Sequence, residues 1–476
     1  MSNLKKNFIY TSIYNLINII VPFILLPYIA RVLGKENLGI NSYTNSITQY
    51  FLLMSMLGIN LYGTREISYI KDDKKKLNIT IIDLYLVKIF STLFAFIFFL
   101  IFIRYQPVNL KNYLYIYSLS FLTNLLDITW FFQGIEDFKK ISIRNIIFKL
   151  LTLILILIFV RHKNDLNKYI YITILGNIFG QVTMYTYILE KVDFSIYEIN
   201  LKRLVYHLKR NLKLFILQIA VQIYLYLDKV MLGYYGQYIQ AGYYDIAQQI
   251  VRLGLVISGT LSTVMLPKIS SLVSNKRYDE IKLNIGNALE FVITISFPLI
   301  FGLLSINQEF IKWFFGSEYL GVSSIISILS VILLIIPIGN VLGIQLMIPL
   351  GKEMLVSISP IAGAITNLIL NMYLIPKYSG IGAAIATLFS ELIGTGLTCF
   401  FMRKWFNMFS IMGKTKKSLL ASITMYIALK YLNIKIELIP LLLFIKIFIG
   451  IAIYVSLMFI LKDKNIIRIV EMRRKK

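Results

Sequence analysis

The chain holds one cysteine, Cys399, in an apolar segment, which excludes an internal disulfide and any cysteine-rich metal site. Its two histidines, His162 and His207, fall in polar connectors and read as ordinary loop residues. No metal and no cofactor are therefore expected. Charge is scarce too: 15% of the 476 residues are charged, while 57% are hydrophobic. A soluble domain carries roughly 25% charged residues, so this chain lacks the polar surface to stay in water. Also missing are Pro/Gly/Ser-rich linkers, low-complexity tracts and any polar stretch long enough to fold alone. The length therefore does not imply several soluble domains.

What the chain has instead is apolar runs of roughly 20 residues, the length that crosses a ~30 Å hydrocarbon core as a helix. Alternation of period two is absent, so the expected class is an all-α polytopic membrane protein rather than a barrel. Spans are expected near 10–30, 39–62, 79–103, 113–133, 146–160, 169–189, 214–233, 242–266, 285–306, 321–343, 354–375, 381–401, 419–430 and 439–461. The fifth and thirteenth are short and should extend into their flanks. Lys5 and Lys6 precede the first run, as in a signal peptide. The run from Phe8 to Ala30 is too long for one, however, and no small-residue cleavage site follows, so a retained first helix is expected.

Orientation follows from the basic residues. With the N-terminus inside, the cytoplasmic pieces carry 33 of the 49 Lys and Arg, and the outer pieces carry 10. That bias obeys the positive-inside rule and places both termini in the cytoplasm. The net charge of +25 is then explained by topology and by attraction to an anionic inner leaflet, with no nucleic-acid partner. No connector exceeds about 24 residues. A membrane polymerase or ligase would have no large outer loop in which to build its chemistry, and the chain is not expected to be an enzyme.

The two halves echo each other at an offset of about 200 residues, or six spans. YIARVLGKENLGINSYTNSITQY (28–50) echoes YLDKVMLGYYGQYIQAGYYDIAQQI (226–250), and TREISYIKDDKKKLN (64–78) echoes PKISSLVSNKRYDEIKLN (267–284). A weaker echo joins FFQGIEDFKKIS (131–142) to LMIPLGKEMLVS (346–357). Parallel repeats are expected: an N-terminal lobe over 1–200, a C-terminal lobe over 201–402, and a helix pair with a basic tail over 403–476.

The segments PYIARVLGKENLG (27–39), LGINLYGTREIS (57–68), DITWFFQGIEDFKKI (127–141), LDKVMLGYY (227–235), GYYDIAQQI (242–250), MLPKISSL (265–272) and IPKYSGIGAAIAT (375–387) resemble the Wzx-type oligosaccharide flippase, or polysaccharide transporter, family. That family lies in the MATE-like MOP exporter superfamily, and the resemblance covers most of residues 10–400. It implies a V-shaped pair of six-helix lobes around a cavity, plus two C-terminal helices. It also implies alternating access in the bacterial cytoplasmic membrane. The implied substrate is an undecaprenyl-diphosphate-linked oligosaccharide repeat unit for capsule or other cell-surface polysaccharide, with membrane lipids and the polymerase machinery as further partners. A multidrug or metabolite antiporter of the same superfamily is the first alternative. A membrane glycosyltransferase or polymerase is the second.

Ionisable groups at depth are costly and mark cavities or pairs. Lys88 and Arg252 lie near mid-span, as does Glu391, whereas Arg31 and Lys229 sit at matching outer ends of spans 1 and 7. Asp245, Gln248, Gln249 and Arg252 share a helical face, as do Gln218, Gln222 and Lys229. Asn41, Asn45, Thr48 and Ser55 form a third polar stripe, on span 2. A diphosphate needs charge-assisted hydrogen bonds from Arg or Lys, so Arg252, Lys88, Arg31 and Lys229 are the expected substrate cations. Asp83, Asp127, Asp245 and Glu391 are the expected coupling or ion-pairing acids. Pro22, Pro27, Pro298 and Pro337 are expected to kink their helices. Labelling single cysteines placed at Asn109 and Asn275, in a Cys399→Ser background, checks the topology. Asn109 should react from outside and Asn275 only from inside; reaction of both from one side would contradict the orientation.

Overall fold

The computed structural model describes residues 3–188, 191–192, 199–432 and 436–463. Among the described residues every regular element is a helix, the form in which a backbone satisfies its own polar groups in hydrocarbon. Seven helical stretches among them are long and apolar enough to cross a bilayer. The residues gather into two compact units, Met1–Gly242 and Tyr243–Lys476.

The first unit opens with α1 (Asn3–Met56), which carries the first expected span and most of the second. Its one break in dihedrals is at Gly34, with φ 77° and ψ 167°, a backbone conformation open to glycine and strained for other residues. Pro22 and Pro27 lie inside the helix, and the break avoids both. Leu57 and Gly58, both at positive φ, separate α1 from α2 (Ile59–Ile70). Next, α3 (Lys74–Arg104) starts at an Asp73 cap, whose carboxylate accepts from the Lys76 amide at 3.0 Å. This helix is inside-out by the standards of a soluble protein. Phe90, Leu93, Phe94, Ile97, Phe98 and Ile101 form an exposed stripe at helical spacing, while Lys88, Ser91 and Thr92 are buried on the other face.

The fourth expected span is not one helix. It is α4 (Val108–Tyr117), α5 (Ser120–Leu126) and α6 (Thr129–Gly134), with extended backbone at Asp127. The unit continues with α7 (Phe138–Phe159), which starts eight residues before the short fifth span, and α8 (Leu166–Ile188). Then come α9 (Leu201–Tyr234) and the start of α10 (Tyr238–Ser274). Gly39 and Gly242, which hold matching places in the two echoing segments, meet here. A methyl group on Gly39 would fall 1.9 Å from the Tyr238 carbonyl oxygen and one on Gly242 3.0 Å from the Gly39 backbone, so only glycine permits the approach.

The second unit holds the rest of α10, then α11 (Tyr278–Phe314), α12 (Gly321–Leu329) and α13 (Ile332–Asn340), followed by a π-helical stretch, Val341–Met347. Beyond it lie α14 (Glu353–Phe401), α15 (Met408–Lys414), α16 (Lys416–Tyr431) and α17 (Ile439–Ile460). As in α1, two expected spans share α14, here divided at Ser379. Pro298 lies within continuous α11, and Pro337 sits four residues before the π stretch. Buried Lys446 on α17 donates to Glu309 on α11 at 2.5 Å. This buried cation is therefore paired with a carboxylate.

His207 is no ordinary loop residue. The basic N-terminal part of α9 packs on α2 and α3, and His207 is buried there, with Nδ1 2.9 Å from the Tyr62 hydroxyl and Nε2 3.9 Å from Asp83. Arg203 donates to the fully buried Asp83 carboxylate at 2.7 Å. Burial pushes the His207 imidazole below its ordinary value, against the upward pull of Asp83 and Glu66 and with the downward push of Arg203. A folded-state pKa below the unfolded one means that the unfolded chain binds the proton more readily. The stability is therefore present above about pH 6.5 and is lost as pH falls through the folded value. The thermal midpoint of the purified protein should drop between about pH 7 and pH 5, where the reference imidazole titrates. The His207→Gln variant should lose that part of the slope; an identical slope in both would show that His207 does not titrate on unfolding.

Candidate functional site

A polar groove runs inside the first unit, with a cavity of about 370 Å³. Three helical ladders line it. From α1 come Asn41, Asn45 and Gln49, each one turn from the next. From α8 come Tyr169, Thr173, Asn177 and Gln181, again four residues apart. The broken fourth span adds Tyr117, Thr123, Asn124 and Asp127. The Tyr117 hydroxyl ties the fourth span to α1 by donating to Asn41 Oδ1 at 2.8 Å, and within α1 Gln49 Nε2 donates to Asn45 Oδ1 at 3.2 Å. Behind them, Asn124 Nδ2 donates to Ser55 Oγ, and Ser91 Oγ donates to the Ser55 carbonyl at 2.7 Å.

The break at Asp127 is what gives the site its electrostatics. Unwound backbone at membrane depth frees a carbonyl that must find a donor. Lys88, fully buried on α3, donates to the Asp127 carbonyl oxygen, while the Asp127 side chain accepts from the Thr129 amide at 2.9 Å. Lys88 lies 14 residues into α3, so about 21 Å along its axis. A cation at that depth costs about 2.5–3.5 kcal/mol on insertion scales. A hydrogen bond from a charged donor returns about 1.5–3 kcal/mol, and the nearby Asp127 carboxylate adds attraction. Arg144, also buried, closes the cluster: Nη1 donates to Gln181 Oε1 at 2.7 Å, and Nη2 donates to Asn145 Oδ1 at 2.6 Å.

The structure therefore joins two of the expected residues, Lys88 and Asp127, at one point of the groove. Asp83 belongs to the Arg203–His207 cluster instead. Lys229 is buried on α9, with its ammonium 5.2 Å from the centre of the Tyr226 ring, and Gln222 is half-buried on the same helix. The Gln218 side chain lies outside the described residues. Arg31 is exposed on α1. In the second unit, Asp245 accepts from Gln249 Nε2 at 3.1 Å, and Gln248 is half-buried. Arg252 is exposed on α10 and forms no ion pair among the described residues, whereas Glu391 is half-buried on α14. Tyr243 and Tyr244 are buried, donating to the Glu318 carbonyl and bonded to the Thr387 hydroxyl respectively.

Two features escaped the sequence reading. The α8 ladder was legible as a four-residue repeat of polar positions in an apolar span. Arg144 was not, because it adjoins a basic connector and only the fold buries it.

The family model described as "Polysaccharide biosynthesis protein" matches residues 4–273. The chain is 26% identical over 413 residues to a putative O-antigen transporter of Escherichia coli K12, covering 84% of this chain and 97% of that protein. It is 25% identical over 414 residues to the capsular polysaccharide biosynthesis protein CapF of Staphylococcus aureus, covering 84% and 100%. Among solved structures, the lipid II flippase MurJ in an inward closed conformation superposes with a TM-score of 0.70 at 19% identity, over 95% of this chain and 98% of that one. An inward-facing multidrug MATE family transporter of the MOP superfamily gives 0.62 at 12% identity, over 89% and 96%. The chain has the all-α membrane fold of these transporters, and it belongs to the polysaccharide biosynthesis protein family.

Proposed function

We propose that this chain is a flippase that carries an undecaprenyl-diphosphate-linked oligosaccharide from the cytoplasmic to the outer leaflet for cell-surface polysaccharide synthesis. It works by alternating access in the cytoplasmic membrane and catalyses no covalent step. The observation that carries the reading is the groove itself: membrane-spanning helices of a polysaccharide-biosynthesis family member turn amide and hydroxyl ladders inward. A hydrated sugar chain crossing hydrocarbon needs such a surface, because each polar group stripped of water without a partner costs several kcal/mol. The relatives named for O-antigen transport and capsular polysaccharide biosynthesis support the same substrate class.

Spans 1–6 and 7–12 act in this reading as two parallel repeats, with spans 13 and 14 as an appendix. The diphosphate is assigned to cations, with Arg252 first and then Lys88, Arg31 and Lys229. The exposure of Arg252 supports its role, since a guanidinium open to a ligand can present its planar fork to phosphate oxygens. Gln248 and Gln249 share its face and would hold the neighbouring oxygens. Lys88 has a structural task at the Asp127 carbonyl as well, so its variants report on folding and transport together.

Complementation of a flippase-deficient strain tests the assignment. Arg252→Ala should abolish polymer export with expression near normal, and Arg252→Lys should keep part of it, since charge persists while the bidentate fork is lost. Full export by the alanine variant would remove Arg252 from the substrate path.

A further inference from the structure

The groove of the first unit has a lining whose chemistry is selective. Asn41, Asn45, Gln49, Asn124, Asn177 and Gln181 bring six carboxamides to it from three parts of the fold. Each carboxamide offers two N–H donors and a carbonyl acceptor, the complement of a hydroxyl, which donates once and accepts twice. The lining residues include no cation, since Lys88 and Arg144 lie behind it, so nothing there favours a phosphate. The lining includes a single acid, Asp127, which already accepts from the Thr129 amide and has the Lys88 ammonium as a neighbour. Among the described residues no three His, Cys, Asp or Glu side chains gather to hold a metal. A free cation would therefore meet a carboxylate whose charge is already offset.

Among the described residues, two buried atoms of groove-lining residues lack a hydrogen-bond partner: Thr123 Oγ1 and the Oδ1 of Asn124, a residue 4% exposed. Buried polar atoms are normally satisfied, and one left open costs about 1–3 kcal/mol. Asn177, by contrast, is exposed and has no hydrogen bond among the described residues. At about 370 Å³ the cavity stands at the lower end of the roughly 300–1,000 Å³ range of ligand pockets. Its three ladders extend it along the helix axes.

We propose that this groove, whose lining excludes Arg252, Arg31 and Lys229 and has Lys88 buried behind it, is a saccharide subsite that binds neutral sugar rings of the transported chain through its carboxamides. The proposal rests on the flippase reading for its biological ligand, but the chemistry of the lining can be tested without transport. Polymer specificity then depends on which hydroxyl pattern the Asn45, Thr173 and Asn177 faces accept, while the cations hold the part common to all substrates.

The test uses the full chain in lipid nanodiscs, with Cys399→Ser and a reporter thiol introduced by Asn177→Cys. The probes are methyl pyranosides of glucose, galactose, mannose, N-acetylglucosamine and N-acetylgalactosamine, with the acyclic polyol sorbitol as control. A water-soluble thiosulfonate should label the reporter thiol. At least one pyranoside should slow that labelling about tenfold when present at about ten times its dissociation constant, as single-site occupancy requires. Sorbitol should not. Thr173→Val, which keeps side-chain shape and removes one hydroxyl, should weaken protection severalfold. Equal labelling rates with every pyranoside would overturn the proposal and leave a groove that holds water alone. Slowing by sorbitol to the same degree, or by sodium chloride but not choline chloride, would overturn it as well. Transport separates the two readings. If the wild-type chain complements a flippase-deficient strain while Asn45→Leu, Thr173→Val and Asn177→Leu export the same polymers at the same rate, the subsite fails and the flippase stands. If pyranosides protect the reporter thiol but the wild type never complements, the flippase reading fails and the site stands.

Discussion

A backbone in hydrocarbon must satisfy its own polar groups, and this structure follows from where that rule holds and where it is broken. Helices obey it, so α3, α7 and α17 are uninterrupted and show large apolar side chains outward. At Asp127 the rule is broken, and the molecule answers with a buried cation. The Lys88 ammonium meets the freed carbonyl, the Asp127 side chain holds the first amide of the next helix, and Arg144 braces the neighbouring Gln181 and Asn145. The polar groove lies beside this repair. Irregular backbone at depth is tolerated where protein surrounds it or where it lines a cavity, and both conditions hold here.

The same constraint explains why the buried polar residues come in connected sets. Ser55, Ser91, Thr92 and Asn124 bond one another across α1, α3 and α5. Asp83, Arg203, His207 and Tyr62 do so where α9 meets α2 and α3. In the second unit, Ser418, Tyr454 and the Thr294 carbonyl join α16 and α17 to α11. The last set, with the Lys446–Glu309 pair, holds the two final helices onto the second unit. Dispersion alone gives little preference between neighbouring helices and lipid, so such bonds decide which helix packs on which.

Much of this was legible in the residues. Apolar run length located the apolar stretches of the helices, though α7, α9 and α10 extend eight or more residues beyond them, and the α1 stripe of Asn41 and Asn45 was visible as a polar face because few polar residues interrupt it. What escaped depends on contacts between distant segments. The fourth span reads as one helix because nothing in DITWFF marks Asp127 as extended, and only the partner Lys88, 39 residues away, makes the break tolerable. His207 looked like a connector residue because hydropathy cannot show that α9 extends 13 residues before its apolar run and packs there. Pro22 and Pro27 lie inside α1, whose one break in dihedrals falls at Gly34.

A membrane fold, a polysaccharide-biosynthesis family and a neutral hydrogen-bonding groove meet in a chain that moves sugar on a lipid carrier across a bilayer. Proteoliposomes containing the purified chain and an undecaprenyl-diphosphate-linked saccharide, treated outside with an impermeant glycosidase, test it most directly. The account predicts that the enzyme digests the outer-leaflet share quickly in all vesicles, then the inner-leaflet share only where the chain is present. Digestion that stops at the outer-leaflet share with and without the chain would contradict it.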